Sequence, residues 1–225
     1  MLVARNEERL RAVSAETGGE YEICDVGDRG AVDRMAASVR SRHAEIKLLV
    51  NNAGLAGRLR GERRGRGFAE ADPEWIEQLV RVNFLGAVWC LRAFLPALEA
   101  ARPSHVVNVA SVAGTVAVPP GVYSATKHAL VAFSRSLAAS LPASGIYVHT
   151  VNPGFVETPG FPQRGVLGNR VLERLVIEPE EVARRIVSAV ERRRPEIFVP
   201  GWYRVAAVVQ AAVPGLVSRL LARRR

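Results

Sequence analysis

Cysteine is scarce in this chain of 225 residues, which contains only two. Cys24 and Cys90 each lie beside apolar neighbours, and two cysteines give neither the number nor the spacing of a disulfide framework or a zinc site. Four histidines are scattered along the sequence, at His43, His105, His128 and His149. None of them has the spacing of a metal ligand. We therefore expect a protein of the reducing cytoplasm that holds no metal ion.

The sequence also lacks a long apolar run at its start, where MLVAR already brings a charge at Arg5. A secretory signal is therefore not expected. The whole chain is 48% hydrophobic and 24% charged, which excludes collagen-like, low-complexity and disordered proteins and fits a soluble domain. Its length favours one domain with a sizeable core.

Acidic residues are nearly missing from two arginine-rich segments, and these segments account for the formal net charge of +9. Residues 57–67 (GRLRGERRGRG) carry five arginines against one glutamate, and residues 202–225 carry five arginines against no acid. A protein that binds nucleic acid over a whole face would spread its charge across that face. The loop at 57–67 also lacks the interleaved aromatics that stack on bases, so no nucleic-acid partner is expected.

Short apolar runs alternate with longer segments of helical periodicity, as in βαβ units around a parallel sheet. The predicted strands cover residues 2–4, 21–24, 48–51, 105–110, 147–152 and 196–199. The predicted helices cover residues 6–16, 28–43, 73–100, 121–141 and 178–193, and Asp72 with Pro73 opens the third. We predict an α/β fold with a doubly wound parallel sheet over residues 1–200, followed by a basic amphipathic tail at 201–225.

Polar and small residues follow two of the predicted strands, at the edge where ligands bind in an open parallel sheet. Residues 48–54 (LLVNNAG) form a buried strand that stops in two amides and two small residues, which lets a flat molecule approach the backbone. Residues 108–111 (NVAS) end a second strand in the hydroxyl of Ser111. The sequence therefore predicts a binding site at this edge.

Tyr123 and Lys127 are four positions apart, so a helix brings them to one face with the ammonium near the phenol. A cation at that distance favours the ionised phenol. A free tyrosine titrates near pH 10, and lowering its pKa by roughly three units needs about 4 kcal/mol of differential stabilisation, which we expect from a cation together with a bound cofactor. The pair predicts a tyrosine that acts as acid and base, although a solvated helix face is the alternative.

Taken together, these residues resemble the short-chain dehydrogenase/reductase family. The likeness rests on NNAG at 51–54, Asn83, Ser111, YSATK at 123–127, and Asn152-Pro153-Gly154 followed by Thr158. They stand in the family's order over residues 1 to about 200. The resemblance implies a Rossmann-like sheet and hydride transfer between NAD(P)H and a carbonyl or alcohol carbon.

The resemblance implies catalytic roles for four residues. Tyr123 is the acid and base, Ser111 hydrogen-bonds the substrate oxygen, and Lys127 binds ribose hydroxyls of the cofactor while lowering the pKa of Tyr123. Asn83 holds a water that relays protons. Two alternatives stay open, because Ser111 could simply cap a turn and Asn83 could bond to the backbone.

The resemblance also implies the cofactor contacts. Besides Tyr123 and Lys127, they are Arg5, Asp25, Val26, Asn52, Ala53, Gly54, Pro153, Gly154 and Thr158. Asp25 and Val26 are expected at the adenine, with a helix cap at Asp25 as the alternative. Thr158 is expected to hold the nicotinamide carboxamide.

Arg5 decides which cofactor is expected. An NAD enzyme has an acid at the turn after the second strand to bind the ribose 2′-hydroxyl, whereas this turn holds Ala4 and Arg5. Because Arg5 suits a 2′-phosphate, we expect NADP rather than NAD. Glu7 and Glu8 follow closely and count against a preference for NADP. The alternative is that Arg5 is only a solvated charge at the start of a helix.

The sequence departs from the family at its start. It lacks the first strand and the Gly-rich turn TGxxxGxG that receives the pyrophosphate, and residues 1–9 resemble the family's second strand and following turn. We therefore expect an N-terminally truncated fold, with either a gap between the strand at 48–51 and those at 2–4 and 21–24 or a non-native pairing across it. Either the start codon is assigned too late or the chain is a truncated product that is not a competent enzyme. The alternative function is a non-catalytic remnant or binding protein of the same fold.

The segment after Thr158 is expected to cover the substrate. Its apolar side chains, together with the one that precedes it, are Phe155, Phe161, Val166 and Leu167. They favour an apolar carbonyl or alcohol as substrate, or they only pack the segment down.

The tail has an uncharged stretch at 205–218, which is 14 residues long and interrupted by Pro214-Gly215. A helix that spans a membrane needs about 20 apolar residues, so the tail is too short to cross one. Trp202, Tyr203 and the flanking arginines suit a segment in the interface of an anionic membrane. The alternative is that these residues cover the subunit interface of a homo-oligomer.

Overall fold

The computed structural model of the chain describes residues 1–55, 71–117, 121–158 and 173–222, with side chains described as far as Arg219. Six strands lie in these ranges: β1 Leu2–Ala4, β2 Tyr21–Ile23, β3 Leu48–Asn51, β4 Ser104–Val109, β5 Ile146–Pro153 and β6 Glu196–Val199. The α-helices are α1 Glu7–Thr17, α2 Arg29–Arg42, α3 Pro73–Val80, α4 Gly86–Ala100, α5 Val122–Ser140, α6 Pro179–Glu191, α7 Tyr203–Ala212 and α8 Pro214–Ala222. All six predicted strands and all five predicted helical segments are confirmed, and their ends differ from the predicted ones by at most two residues.

The strands form two parallel sheets. One contains β1 and β2, and the other has the order β3-β4-β5-β6. The larger sheet is covered on both faces, as a doubly wound fold requires. On one face Val106, Ile146 and Val148 pack in a core cluster with residues of α2 and α4. On the other face Val107, Val151 and Val199 pack with Val182 of α6.

The strand β3 departs from the sequence prediction, which expected it to be buried. Leu48 and Val50 are 45% and 42% exposed, whereas Leu49 packs against the core cluster. The register pairs Val50 with Val107, so Leu48 and Val50 lie on the face that α6 covers further along the sheet. Because β3 pairs only with β4 among the described residues, it is an edge strand that α6 does not reach.

Three helices begin at a side chain that satisfies their first backbone donors. The side chains of Asn6, Asp28 and Asp72 accept from the backbone N–H groups of Arg9, Ala31 and Glu74 at 2.8, 3.1 and 3.1 Å. Asp28 caps α2, so the alternative that Asp25 is this cap is wrong. Asp25 instead accepts from the N–H of Gly27 at 2.8 Å.

The predicted helix over residues 73–100 is one continuous helical stretch with a π-helical segment at Arg81–Leu85 between α3 and α4. Leu79, Leu91, Phe94 and Leu98 of this stretch are buried. Among the described residues it is also the stretch that is long and apolar enough to cross a membrane. Its burial in the core is what a central helix of a folded domain shows.

Candidate active site

The carboxyl ends of β3, β4 and β5 bring the predicted site residues to one edge of the larger sheet. The register pairs Asn51 with Asn108 and Asn108 with Thr150, so the three strands end side by side. The NNAG segment follows β3, Ser111 follows β4, and Pro153 ends β5. This is the edge at which ligands bind in open parallel sheets.

A buried chain of hydrogen bonds fixes the helix α5 against these strand ends. The Asn51 Nδ2 donates to Asn108 Oδ1 at 2.8 Å, and Asn108 Nδ2 donates to Ser134 Oγ at 2.8 Å. Asn108 and Ser134 are fully buried, so losing one partner would leave an unsatisfied polar group. These hydrogen bonds therefore hold α5, which carries Tyr123 and Lys127, in a defined position.

Ser111 has three hydrogen-bonding neighbours, and its Oγ donates to the backbone oxygen of Pro153 at 3.5 Å. Its Oγ accepts from the N–H of Ala113 at 3.1 Å, which caps the short 3₁₀ turn Val112–Gly114. The Ser111 and Tyr123 side chains also form a hydrogen bond. The capping alternative is thus present, and the expected contact of Ser111 with the substrate oxygen stays a prediction.

Lys127 lies near the ring of Tyr123. The Lys127 Nζ is 5.9 Å from the ring centroid and donates to the backbone oxygen of Val109 at 3.0 Å. Only 4% of Lys127 is exposed. The helical spacing predicted that the two side chains share one face, and they do.

Burial acts on the pKa values of both Tyr123 and Lys127. It raises the pKa of Tyr123 above its usual value, and the hydrogen bond with Ser111 only partly opposes this. Burial also lowers the pKa of Lys127 to about 8. The expected lowering of the Tyr123 pKa depends on a bound cofactor as well as on Lys127, so it stays a prediction.

Asn83 lies in the π-helical segment and is 2% exposed. Its Oδ1 accepts from the N–H of Leu55 at 2.7 Å, and its Nδ2 donates to the Leu55 oxygen at 3.2 Å and to Thr126 Oγ1 at 3.3 Å. The alternative of backbone hydrogen bonding is therefore observed. Asn83 fixes the residue after the NNAG segment to α5, and a π-helical turn is a common way to aim such a side chain.

Most of the expected cofactor contacts lie in one cleft of about 660 Å³ between the two sheets. Its lining includes the site residues Arg5, Asp25, Val26, Asn52, Ala53, Gly54 and Asn83. An Arg5 Nη1 lies 3.5 Å from Asp25 Oδ2 at the rim, where both side chains are partly exposed. The cleft also reaches inward to core residues such as Met35 and Phe94.

Two glycines lie close to the predicted site residues. A Cβ on Gly54 would lie 3.5 Å from Asn83 Oδ1 and 3.7 Å from Lys127 Nζ, so the backbone of Gly54 lies near both side chains. Gly154 follows Pro153, and a Cβ there would clash with the ring of Tyr203, which packs directly on this glycine. Thr158 is half-buried beyond this turn. These residues could hold a dinucleotide with its nicotinamide end near Tyr123.

Sequence reasoning missed two residues that shape this site. Leu55 binds Asn83 through backbone atoms alone, and no side-chain pattern could indicate this. Tyr203 packs on Gly154 from a segment that the sequence separates by almost fifty positions, and the only signal was the small residue at Gly154. The predicted substrate residues Phe161, Val166 and Leu167 and the loop at 57–67 lie outside the described residues.

Two of the histidines lie away from this edge, whereas Cys24 and Cys90 line the same cleft as the expected cofactor contacts. Cys24 and Cys90 are free and buried, and burial raises the pKa of Cys90 to about 12. His105 Nδ1 lies 3.0 Å from His149 Nε2, and His149 Nδ1 lies 2.7 Å from the Arg194 oxygen. Burial lowers the pKa of both histidines. Within the described ranges, no three His, Cys, Asp or Glu side chains group as metal ligands.

Comparison with known proteins agrees with this geometry. Residues 1–165 match the family model described as short chain dehydrogenase. The 17-beta-hydroxysteroid dehydrogenase 13 of Mus musculus is 30% identical over 201 residues, which cover 88% of this chain and 62% of that protein. A short-chain dehydrogenase structure from Streptomyces avermitilis has a TM-score of 0.76 at 28% identity and covers 96% of this chain and 86% of the other. A metagenomic short-chain oxidoreductase in complex with NADP has a TM-score of 0.61 at 34% identity and covers 68% and 69%.

The chain belongs to the short-chain dehydrogenase/reductase family. It is an oxidoreductase that uses a nicotinamide cofactor and acts on a small molecule. The predicted family, the Rossmann-like fold and the enzyme class are therefore confirmed, and a non-catalytic protein is not supported by these comparisons.

Proposed function

We propose that the protein moves a hydride between NADP and an apolar carbonyl or alcohol, with Tyr123 as acid and base. The observation that carries this proposal is the hydrogen-bonded pair of Ser111 and Tyr123, with Lys127 beside the ring, at the ligand-binding edge of the sheet. The cofactor supplies the hydride when it is bound. The chain's own residues hold the substrate oxygen and exchange its proton.

Each side chain has one proposed task. The Ser111 hydroxyl and the Tyr123 hydroxyl together hold the substrate oxygen, and Tyr123 gives or takes its proton. Lys127, which is buried against Val109, binds ribose hydroxyls and raises the acidity of Tyr123 once the site is filled. Asn83 holds the NNAG segment through Leu55 and connects it to Thr126 on α5.

NADP is the proposed cofactor because Arg5 stands at the rim of the cleft. Its guanidinium lies beside Asp25 and is about half-exposed, so it can turn to a phosphate without leaving a buried site. The structure in complex with NADP, at 34% identity, supports the same choice. Asp25 and Val26 would then contact the adenine, and Thr158 the carboxamide.

An apolar substrate is proposed for two reasons. Phe155 follows the Pro153-Gly154 turn at the nicotinamide end of the site. The relative from Mus musculus carries the name of a hydroxysteroid dehydrogenase, and steroids are apolar alcohols and ketones. A homo-oligomer in the cytoplasm stays a prediction, which light scattering of the purified protein and cell fractionation would test.

The experiment that tests this function replaces Tyr123 by phenylalanine. We expect Tyr123→Phe to lower turnover of a carbonyl panel by about 100- to 10,000-fold, because the ring remains and the proton donor is lost. NADPH affinity should not change. Tyr147→Phe is the matched control. The Tyr147 hydroxyl lies outside the site, where it accepts a hydrogen bond from Arg193 Nη1 at 3.0 Å. Wild-type turnover in Tyr123→Phe would contradict the mechanism.

A further inference from the structure

The tail helices α7 and α8 present an apolar surface that no described residue covers. We call the tail surface the exposed side chains of Trp202, Val205, Val208, Val209, Val213 and Leu216. The most exposed are Val205 at 67%, Val208 at 60% and Leu216 at 56%. Val205, Val208 and Val209 share one face of α7, since residues three and four apart are helix neighbours.

The opposite side of α7 attaches the tail to the domain. Tyr203 is buried, and Ala206, Ala207 and Gln210 are half-buried. The Tyr203 ring stands directly against Gly154. The tail surface therefore points away from the protein, and its first turn is anchored at the active-site edge of the sheet.

The charge of the tail selects one kind of partner. Residues 202–225 contain five arginines and no acid, and the uncharged stretch at 205–218 lies between Arg204 and Arg219. Trp202 stands at the start of the surface, and tryptophan favours the boundary between water and lipid. A second copy is a poor partner, because a two-fold interface would bring two such basic segments together with no acid between them.

We propose that the tail surface docks on an anionic lipid bilayer and lies in its interface. The valines and Leu216 would enter the boundary between headgroups and acyl chains, while the arginines meet the anionic headgroups. The segment is too short to span the bilayer, so the contact is peripheral. Apolar burial and charge attraction both contribute, and the binding depends on lipid charge.

The test is co-sedimentation of the full chain with vesicles of about three parts phosphatidylserine to seven parts phosphatidylcholine. We expect the wild type to bind them at least about tenfold more tightly than vesicles of phosphatidylcholine alone. The double variant Val205→Asp, Val208→Asp should lose at least about tenfold in binding to the anionic vesicles. Val187→Asp is the matched control, because Val187 is a 56% exposed valine on α6, and it should bind like the wild type.

Three results would overturn the proposal. The first is equal binding by the wild type and the double variant, which would place the contact elsewhere, for instance at the arginines of residues 57–67. The second is no binding by the wild type. The third is a dimer that the double variant splits without any vesicle binding, which would assign the surface to a second copy.

A readout in the unaltered protein guards against a variant that fails to fold. Trp202 fluorescence should shift to the blue on anionic vesicles and be quenched by lipids that carry bromine near the headgroup. Trp202→Phe corrects for the signals of Trp75 and Trp89. Unchanged Trp202 emission on vesicles that sediment the protein would also overturn the proposal.

Discussion

The two sheets of this protein differ in how firmly they hold their residues. The strand β5 of the larger sheet buries seven of its eight residues, whereas no residue of β1 or β2 is buried. Tyr123, Lys127 and Ser111 lie at the edge of the larger sheet, and Arg5 and Asp25 follow the strands of the smaller one. The well-packed region thus carries the groups for proton transfer, and the exposed region carries charges that face the far end of the cleft.

This division fits what each task requires. Proton transfer needs atoms held within a fraction of an ångström, which packing and buried hydrogen bonds such as Asn108 to Ser134 provide. A charge contact at a rim tolerates more motion, as the 3.5 Å pair of Arg5 and Asp25 illustrates. The comparison predicts that equal substitutions have unequal effects in the two sheets.

The largest difference is expected when isoleucine is replaced by alanine once in each sheet and the loss of unfolding free energy is compared. Ile146 in β5 is fully buried, and Ile146→Ala should lower the free energy of unfolding by about 2 to 5 kcal/mol. Ile23 in β2 is 52% exposed, and Ile23→Ala should change it by less than about 0.5 kcal/mol. Urea unfolding of both variants measures this. Similar losses in the two would show that the smaller sheet is as well packed as the larger one.

Lys127→Met tests whether the buried ammonium of Lys127 lowers the free energy of unfolding while it supports turnover. Turnover should fall by about a hundredfold. Because burial holds the pKa of Lys127 at about 8 against 10.5 when unfolded, wild-type stability should rise with pH between these values, by about 3 kcal/mol in total. The variant should lack this rise. Unfolding curves at pH 7 to 10 compare the two proteins, and parallel pH profiles would mean that Lys127 is not buried as an ammonium.

Arg5→Ala tests the exposed region. It should reduce the preference for NADPH over NADH by about tenfold while leaving turnover at saturating cofactor unchanged, since the side chain lies at the rim. Arg11→Ala is the control, because Arg11 pairs with Glu7 on the exposed face of α1. Measured catalytic efficiencies with both cofactors decide it, and an unaltered preference would remove Arg5 from the cofactor site.

The smallest effect concerns His149 and His105, at the end of the larger sheet away from the active site. Because burial lowers the folded pKa of both, their contribution to stability is complete above the unfolded value of 6.5 and is lost as the pH falls below it. His149→Gln should flatten this loss between neutral and mildly acid pH. His43→Gln, at an exposed histidine, should not, and a flattened profile there as well would point to another cause.

The sequence was sufficient for the secondary-structure elements, whereas the roles of the site residues stay predictions. Strand ends, the spacing of Tyr123 and Lys127, and the cap at Asp72 are local patterns, and they correspond to what the structure shows. The gap expected between the strand at 48–51 and those at 2–4 and 21–24 is also observed.

Other features depend on packing between distant segments, which no local pattern records. The pKa of Tyr123 follows from burial, and the contact of Tyr203 with Gly154 joins the tail to the end of β5. Leu48 and Val50 are exposed because α6 does not reach the edge strand β3. The division into a domain at 1–200 and a tail at 201–225 stays a prediction.

The split between the two sheets has a further consequence for handling the purified protein. Among the described residues β1 pairs only with β2 and β3 only with β4, so each has one row of backbone N–H and C=O groups that meets no strand. Such rows are templates for strand addition between molecules, and Leu48 and Val50 add apolar side chains beside one of them. Because β3 combines such a row with exposed apolar side chains, we expect strand addition at β3 to contribute to turbidity when the sample is concentrated or warmed.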